Sequence, residues 1–156
     1  MVSHIIPFMN LPEIVIDTNL LVAALRSNRG ASFKLLSIVG QNKFNMNISV
    51  PLLIEYEDAT KRLIGKIALK EKDIDHILNY ICSVSTHRKI FFLWRPFLKD
   101  SKDDLVLELA VSSKCYSIIT YNKKDFSRVQ KHFGIQILTP KEFLKKIGEI
   151  KWALWV

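Results

Sequence analysis

Cysteine, glycine and proline are all scarce in this chain of 156 residues. There are two cysteines, five glycines and five prolines. Cys82 and Cys115 stand alone, with no C-x-x-C pair, so neither a zinc site nor a disulfide framework is suggested, and a reducing compartment is expected. The glycine and proline counts exclude collagen-like and low-complexity sequence. No apolar run approaches the ~20 residues of a membrane-spanning helix. The first residues lack the basic and apolar regions of a signal peptide. Acid is also in deficit: 15 Asp and Glu face 23 Lys and Arg, for a net charge of +8. That surplus favours a polyanionic partner, nucleic acid first.

What is present is apolar and patterned. Hydrophobic residues make up 49% of the chain, and the mean hydropathy is +0.13, which excludes intrinsic disorder. Glu13 to Ile16 reads as a buried strand, followed by a helix from about Leu20 to Arg26. Residues 31–40 are helical in spacing and stop at Gly40. Phe44 to Ser49 alternates as a second strand. Pro51 opens a helix to about Ile64, and a further helix covers about Glu71 to Val84. Ile90 to Trp94 is expected as a third strand, with Phe91, Phe92 and Trp94 in the core. A helix from Asp103 to about Cys115, a strand from Tyr116 to Thr120, a short helix within 123–133, a strand at Gln136 to Leu138 and a helix capped by Thr139 complete the order. Strands alternating with helices predict one α/β domain with a mostly parallel sheet. Residues 1–12 form an N-terminal extension, 13–148 the domain, and 149–156 an apolar tail that folds back or docks a partner.

Ligands of such sheets lie outside the carboxyl ends of the strands. Asp17, Glu55, Asp104, Asn122 and Asp125 all fall on that edge. Glu57 and Asp58 have i,i+4 partners in Lys61 and Arg62. Glu55 has Ala59 at that spacing, and Asp104 has Glu108. Each acid alone has an ordinary explanation: a turn for Asp17, a tertiary cation for Glu55, the helix macrodipole for Asp103 and Asp104. Together at one edge they would repel one another unless a cation joins them. Oxygen ligands alone suit Mg²⁺ or Mn²⁺. The four histidines are scattered, which disfavours zinc. Acids on a +8 protein suit metal-assisted hydrolysis of a phosphodiester. Arg26, Arg29, Lys123 and Lys124 are candidate phosphate contacts, alongside Lys34 and Arg128.

The stretches Ile14-Val15-Ile16-Asp17-Thr18-Asn19, Leu52-Leu53-Ile54-Glu55-Tyr56, Lys99 to Ala110 with its D-x-x-D-D-x-x-x-E-x-A pattern, and Ile118-Ile119-Thr120-Tyr121-Asn122-Lys123-Lys124-Asp125-Phe126 resemble those of PIN-domain proteins, the toxin components of toxin–antitoxin systems of the VapC type. The resemblance implies a PIN-like fold with helices on both sides of the sheet. It implies a cytoplasmic Mg²⁺- or Mn²⁺-dependent endoribonuclease that acts on RNA, pairs with a small antitoxin and forms a homodimer. It makes Asp17, Glu55 and Asp104 the catalytic and metal-binding acids, with Asn122 and Asp125 as further ligands. Thr18, Asn19, Asp103 and Thr120 would line the site. Many relatives have Asp where this chain has Asn122, which favours the alternative of a non-catalytic module that binds RNA or protein.

Overall fold

A computed structural model describes residues 10–150. The apolar tail expected at 149–156 and the N-terminal extension therefore lie largely outside the described residues.

The first strand, β1 (Glu13–Ile16), has Ile14, Val15 and Ile16 all buried. A strand covered on both faces carries a continuous apolar run, not an alternating one. Helices α1 (Thr18–Arg26) and α2 (Ala31–Ser37) lead to β2 (Asn45–Ile48). Gly40 closes the turn after α2 with φ of +83°, and a Cβ there would meet the Tyr80 hydroxyl at 2.7 Å. Helix α3 (Val50–Lys61) begins at Ser49, whose hydroxyl accepts from the Leu52 N–H at 3.3 Å. Helix α4 (Glu71–Val84) follows, then β3 (Thr86–His87). Lys61 bridges α3 to α4 through Asp75 at 3.1 Å, besides its expected pairing with Glu57 at 3.6 Å.

Helix α5 (Ser101–Ser112), strand β4 (Ser117–Ile119), a single 3-10 turn at Lys123–Phe126, α6 (Ser127–Phe133), β5 (Gln136–Leu138) and α7 (Pro140–Lys146) complete the chain. A capping box between Thr139 and Glu142 starts α7 as expected. All four strand pairings are parallel, in the order β3-β2-β1-β4-β5. Right-handed crossovers put the helices after β1 and β2 on one face, and α5 and α6 on the other. Helix α5 packs on β1, β2 and β4. The chain reverses direction across the sheet between β1 and β4, so the crevice above their carboxyl ends is the favoured ligand position.

Two expectations fail in one place. Strand β3 lies at Thr86–His87, and Ile90–Trp94 is irregular. Phe91 is 90% exposed and Phe92 64% exposed, so they are not core. The reason is a competing set of acceptors. The Trp94 N–H donates to Glu108 Oε2 at 2.9 Å, and the Leu98 N–H to Asp104 Oδ1 at 2.9 Å. Carboxylates on α5 thus take N–H groups that a ladder would otherwise pair. Helix α5 also starts two residues earlier than expected, capped by Asp100, whose side chain accepts from the Lys102 N–H at 2.9 Å.

Candidate active site

Asp17 occupies the N-cap position of α1 but does not cap it. Its Oδ2 accepts instead from the Thr120 hydroxyl at 2.7 Å, across the β1–β4 seam. Thr120 is fully buried, and its Oγ1 also accepts from the Asn122 N–H at 3.0 Å. The hydroxyl proton is therefore committed to Asp17. Burial pushes the Asp17 carboxyl up, the bonds from Thr120 and the Thr18 backbone pull it down, and the charges of Asp125 and Asp100 push it up again.

Beneath Asp17, the Tyr56 hydroxyl donates to the Ile16 carbonyl. Tyr56 is fully buried, and desolvation together with the Asp17 charge holds its phenol well above the ordinary value. This bond clamps α3 to the end of β1 and so positions the preceding residue, Glu55, over the cleft. Glu55 was expected to lack a local partner. It has a tertiary one, Lys102 Nζ at 3.5 Å.

A cleft of about 310 Å³ is lined by Asp17, Thr18, Asn19, Glu55, Asp103 and Asn122, with Asp100 and Lys102 at its α5 side. Asp100 and Asp103 are shared with an adjoining cavity of about 470 Å³ that adds Phe97, Lys124, Asp125 and Arg128. Asp103 is held up at about 7, first by burial, then by the charges of Asp17, Asp100, Asp125 and Asp104.

The expected third acid does not face this cleft. The Asp104 carboxylate is 1% exposed and accepts from Leu98 N–H at 2.9 Å and Phe97 N–H at 3.4 Å. One turn further on, Glu108 is engaged by Arg95 Nε at 3.0 Å and Nη2 at 2.6 Å. Neither acid is without partners; both fasten the 94–98 loop. Sequence reasoning ranked Asp103 below Asp104 and left Asp100 out. The D-x-x-D spacing of Asp100 and Asp103 was the available signal, since residues three apart share a helix face.

The cations divide similarly. Arg26 and Arg29 line a separate apolar groove with Phe33, Leu36 and Ile77. Lys123 is bound to Glu142 at 2.9 Å. Arg128 donates to the Phe97 carbonyl at 2.8 Å and lies 4.4 Å from the Phe97 ring centre. Lys124 stands beside Asp103 and Asp125.

The donor chemistry suits a hard divalent cation. Two clustered carboxyls are held above their ordinary range, and Asn19 Oδ1 is buried without a hydrogen-bond partner. Among the described residues no three of His, Cys, Asp and Glu stand close enough to cage an ion. An ion of the Mg²⁺ type, which retains waters and uses one or two carboxylates, fits this set; a fully caged ion does not.

Residues 13–124 match the family described as PIN domain. The chain belongs to the PIN-domain family. Its PIN fold is similar to a chain in the crystal structure of VapBC2 from Rickettsia felis bound to a DNA fragment from their promoter. The TM-score is 0.57 at 16% identity, over 81% of this chain and 98% of that one. No curated protein matches the sequence. Among the described residues no helix of this PIN domain is long and apolar enough to cross a membrane.

Proposed function

We propose that this PIN domain is a Mg²⁺- or Mn²⁺-dependent endoribonuclease. The observation that carries the reading is the cleft that gathers Asp17, Glu55 and Asp103 beside the orphaned Asn19 Oδ1 on a +8 chain. A bound divalent ion would supply a nucleophilic water at neutral pH and charge stabilisation at phosphorus. Asp17 and Asp103 would hold it, with Asn19 and Asn122 as polar neighbours. Thr120 keeps Asp17 oriented, and Tyr56 keeps Glu55 over the cleft. Lys102 holds Glu55 in place and adds positive charge where a phosphate backbone would approach. Asp104 acts by holding the 94–98 loop, and Asp125 by its charge.

The VapBC2 likeness supports a narrower reading, in which the chain is the toxin of a toxin–antitoxin pair and is neutralised by a small antitoxin; cytoplasmic location and a homodimer are parts of this proposal that rest on the resemblance of the sequence alone. The second reading is a binding module without hydrolysis. It is favoured by Asn122 standing where a fourth acid would complete the set.

The test is RNA cleavage under Mn²⁺, Mg²⁺ or EDTA by the unaltered protein and by Asp17→Asn, Asp103→Asn and Asp104→Asn. Metal-dependent cutting is expected, lost in the first two variants and retained in part by a folded Asp104→Asn. Retained cutting in Asp17→Asn would sink the assignment. Binding of RNA without cutting selects the second reading.

A further inference from the structure

Between His76 and Lys99 the chain has no Asp or Glu. Within that stretch Phe91, Phe92 and Leu93 are exposed by 90%, 64% and 60%. Exposed rings grouped in this way mark a contact surface. The neighbouring cations fall into two sets. Arg88 is engaged by Glu13 and Arg95 by Glu108, whereas Lys89 and Lys99 take part in no ion pair among the described residues.

The rings are also connected to the cleft. Phe92 lies 4.7 Å from Trp94, Trp94 4.9 Å from Phe133, and Phe133 5.5 Å from Phe97. Phe97 lies under the Arg128 guanidinium, and both line the cavity that holds Asp103 and Asp125. A chain of tilted and edge-on ring contacts thus runs from exposed Phe92 to Phe97 beside the acids. The loop is not free to collapse onto the core, because Glu108 and Asp104 hold its N–H groups at Trp94 and Leu98.

We propose that the 89–97 loop is a stacking platform for unpaired RNA bases, which delivers a single strand to the acid cleft. The inference rests on the nuclease reading for what the acids do there. Rings can stack only on bases that are not already stacked in a duplex, so the platform selects single-stranded substrate. Lys89 at its start and Lys99 just beyond its end, in no ion pair among the described residues, would meet the phosphates. Those cations, and continuity with the cleft, favour a nucleic-acid strand over a second protein as the occupant.

The test uses a fluorescein-labelled, non-self-complementary RNA of twelve nucleotides and a hairpin of equal length, in EDTA so that nothing is cut. Anisotropy gives affinities for the unaltered protein, F91A/F92A and K89A, each at several salt concentrations. Both rings are exposed, so their removal leaves the core intact. Single strand is expected to bind more tightly than hairpin. F91A/F92A should weaken single-strand binding by about tenfold per ring, with the salt slope unchanged. K89A should reduce the slope by roughly 0.7. Equal affinities for the unaltered protein and F91A/F92A overturn the platform. So does a shift from dimer to monomer in sedimentation with RNA affinity unchanged, which makes the loop a protein interface. Cutting under Mn²⁺ separates the two readings. A protein that cuts, and is indifferent to F91A/F92A, keeps the nuclease and loses the platform. One that binds through the rings and never cuts keeps the platform and loses the nuclease.

Discussion

Neutralising Asp103 and neutralising Asp104 should change stability in opposite directions, although the two are adjacent. Asp103 has a folded value of about 7 against an ordinary 3.8. Between those values the folded chain binds more protons than the unfolded one. Stability therefore falls as pH rises through that window, and the full penalty is present above pH ~7. The whole shift corresponds to about 4 kcal/mol. Asp103 is partly exposed, and solvent screening reduces this to about 1–2 kcal/mol. In a domain of this size 1 kcal/mol moves Tm by roughly 2–4 °C. Asp103→Asn should then melt about 2–8 °C above the unaltered protein at pH ~8.5 in EDTA, with the difference fading towards pH ~4. Asp104→Asn keeps one acceptor but turns an amide N–H₂ towards the second N–H donor of the loop. Leaving a buried donor unmet costs about 1–3 kcal/mol, or a fall of roughly 2–12 °C. Differential scanning calorimetry of both variants at the two pH values reads this directly. Adding Mn²⁺ at ~100 times its Kd should stabilise the unaltered protein by about 2.7 kcal/mol and Asp103→Asn by less. An Asp103→Asn protein that melts at or below the unaltered one at pH ~8.5 refutes the placement of its carboxyl among like charges.

Thr120→Val removes the donor to Asp17 while keeping the shape of the side chain. Cleavage should fall by roughly 10–100-fold, and the acid limb of its pH–rate profile should move upward, because the bond that lowers the Asp17 value is gone; an unchanged profile would count against Thr120 as the orienting group. Arg95→Ala leaves the nearly buried Glu108 without its cation. It should lower stability by about 1–3 kcal/mol in urea denaturation and open the 90–98 loop to proteolysis, and resistance equal to the unaltered protein would show that the pair does not hold the loop.

The parallel α/β order was legible because its signals are local. A continuous apolar run at Ile14–Ile16, a proline at the first turn of α3 and Thr139 before Pro140 each specify an element without distant help. Ile90–Trp94 misled for the opposite reason. Its last residue, Trp94, gives its N–H to Glu108 of α5, while Phe91, Phe92 and Leu93 stand in solvent, and strand propensity gives way to that tertiary acceptor. The site was legible as an edge of the sheet, and Asp17, Glu55, Asn19 and Asn122 do line one cleft. Which of Asp103 and Asp104 faces it was marked in the sequence only by the spacing of Asp103 from Asp100, because the answer depends on the rotation of α5 about its axis. That rotation is set by the loop the helix holds. For Glu55 a tertiary cation was one of the expected explanations, and Lys102 on α5 supplies it; the i,i+4 test, which sees only one helix, could not name it.

Helix α5 also dictates where the chain tolerates a change of length. Each residue advances a helix by about 100°, so one residue inserted between Leu98 and Asp103 would put Asp103 in the buried place of Asp104 and Lys102 in the cleft-facing place of Asp103. The same insertion would pull the Leu98 N–H from its acceptor. The four residues between Leu98 and Asp103 are thus as constrained as the acids themselves. A few positions upstream, between Phe91 and Leu93, an insertion meets only solvent. The tolerated site of insertion and the forbidden one lie in a single loop, separated by the two carboxylates that fasten it.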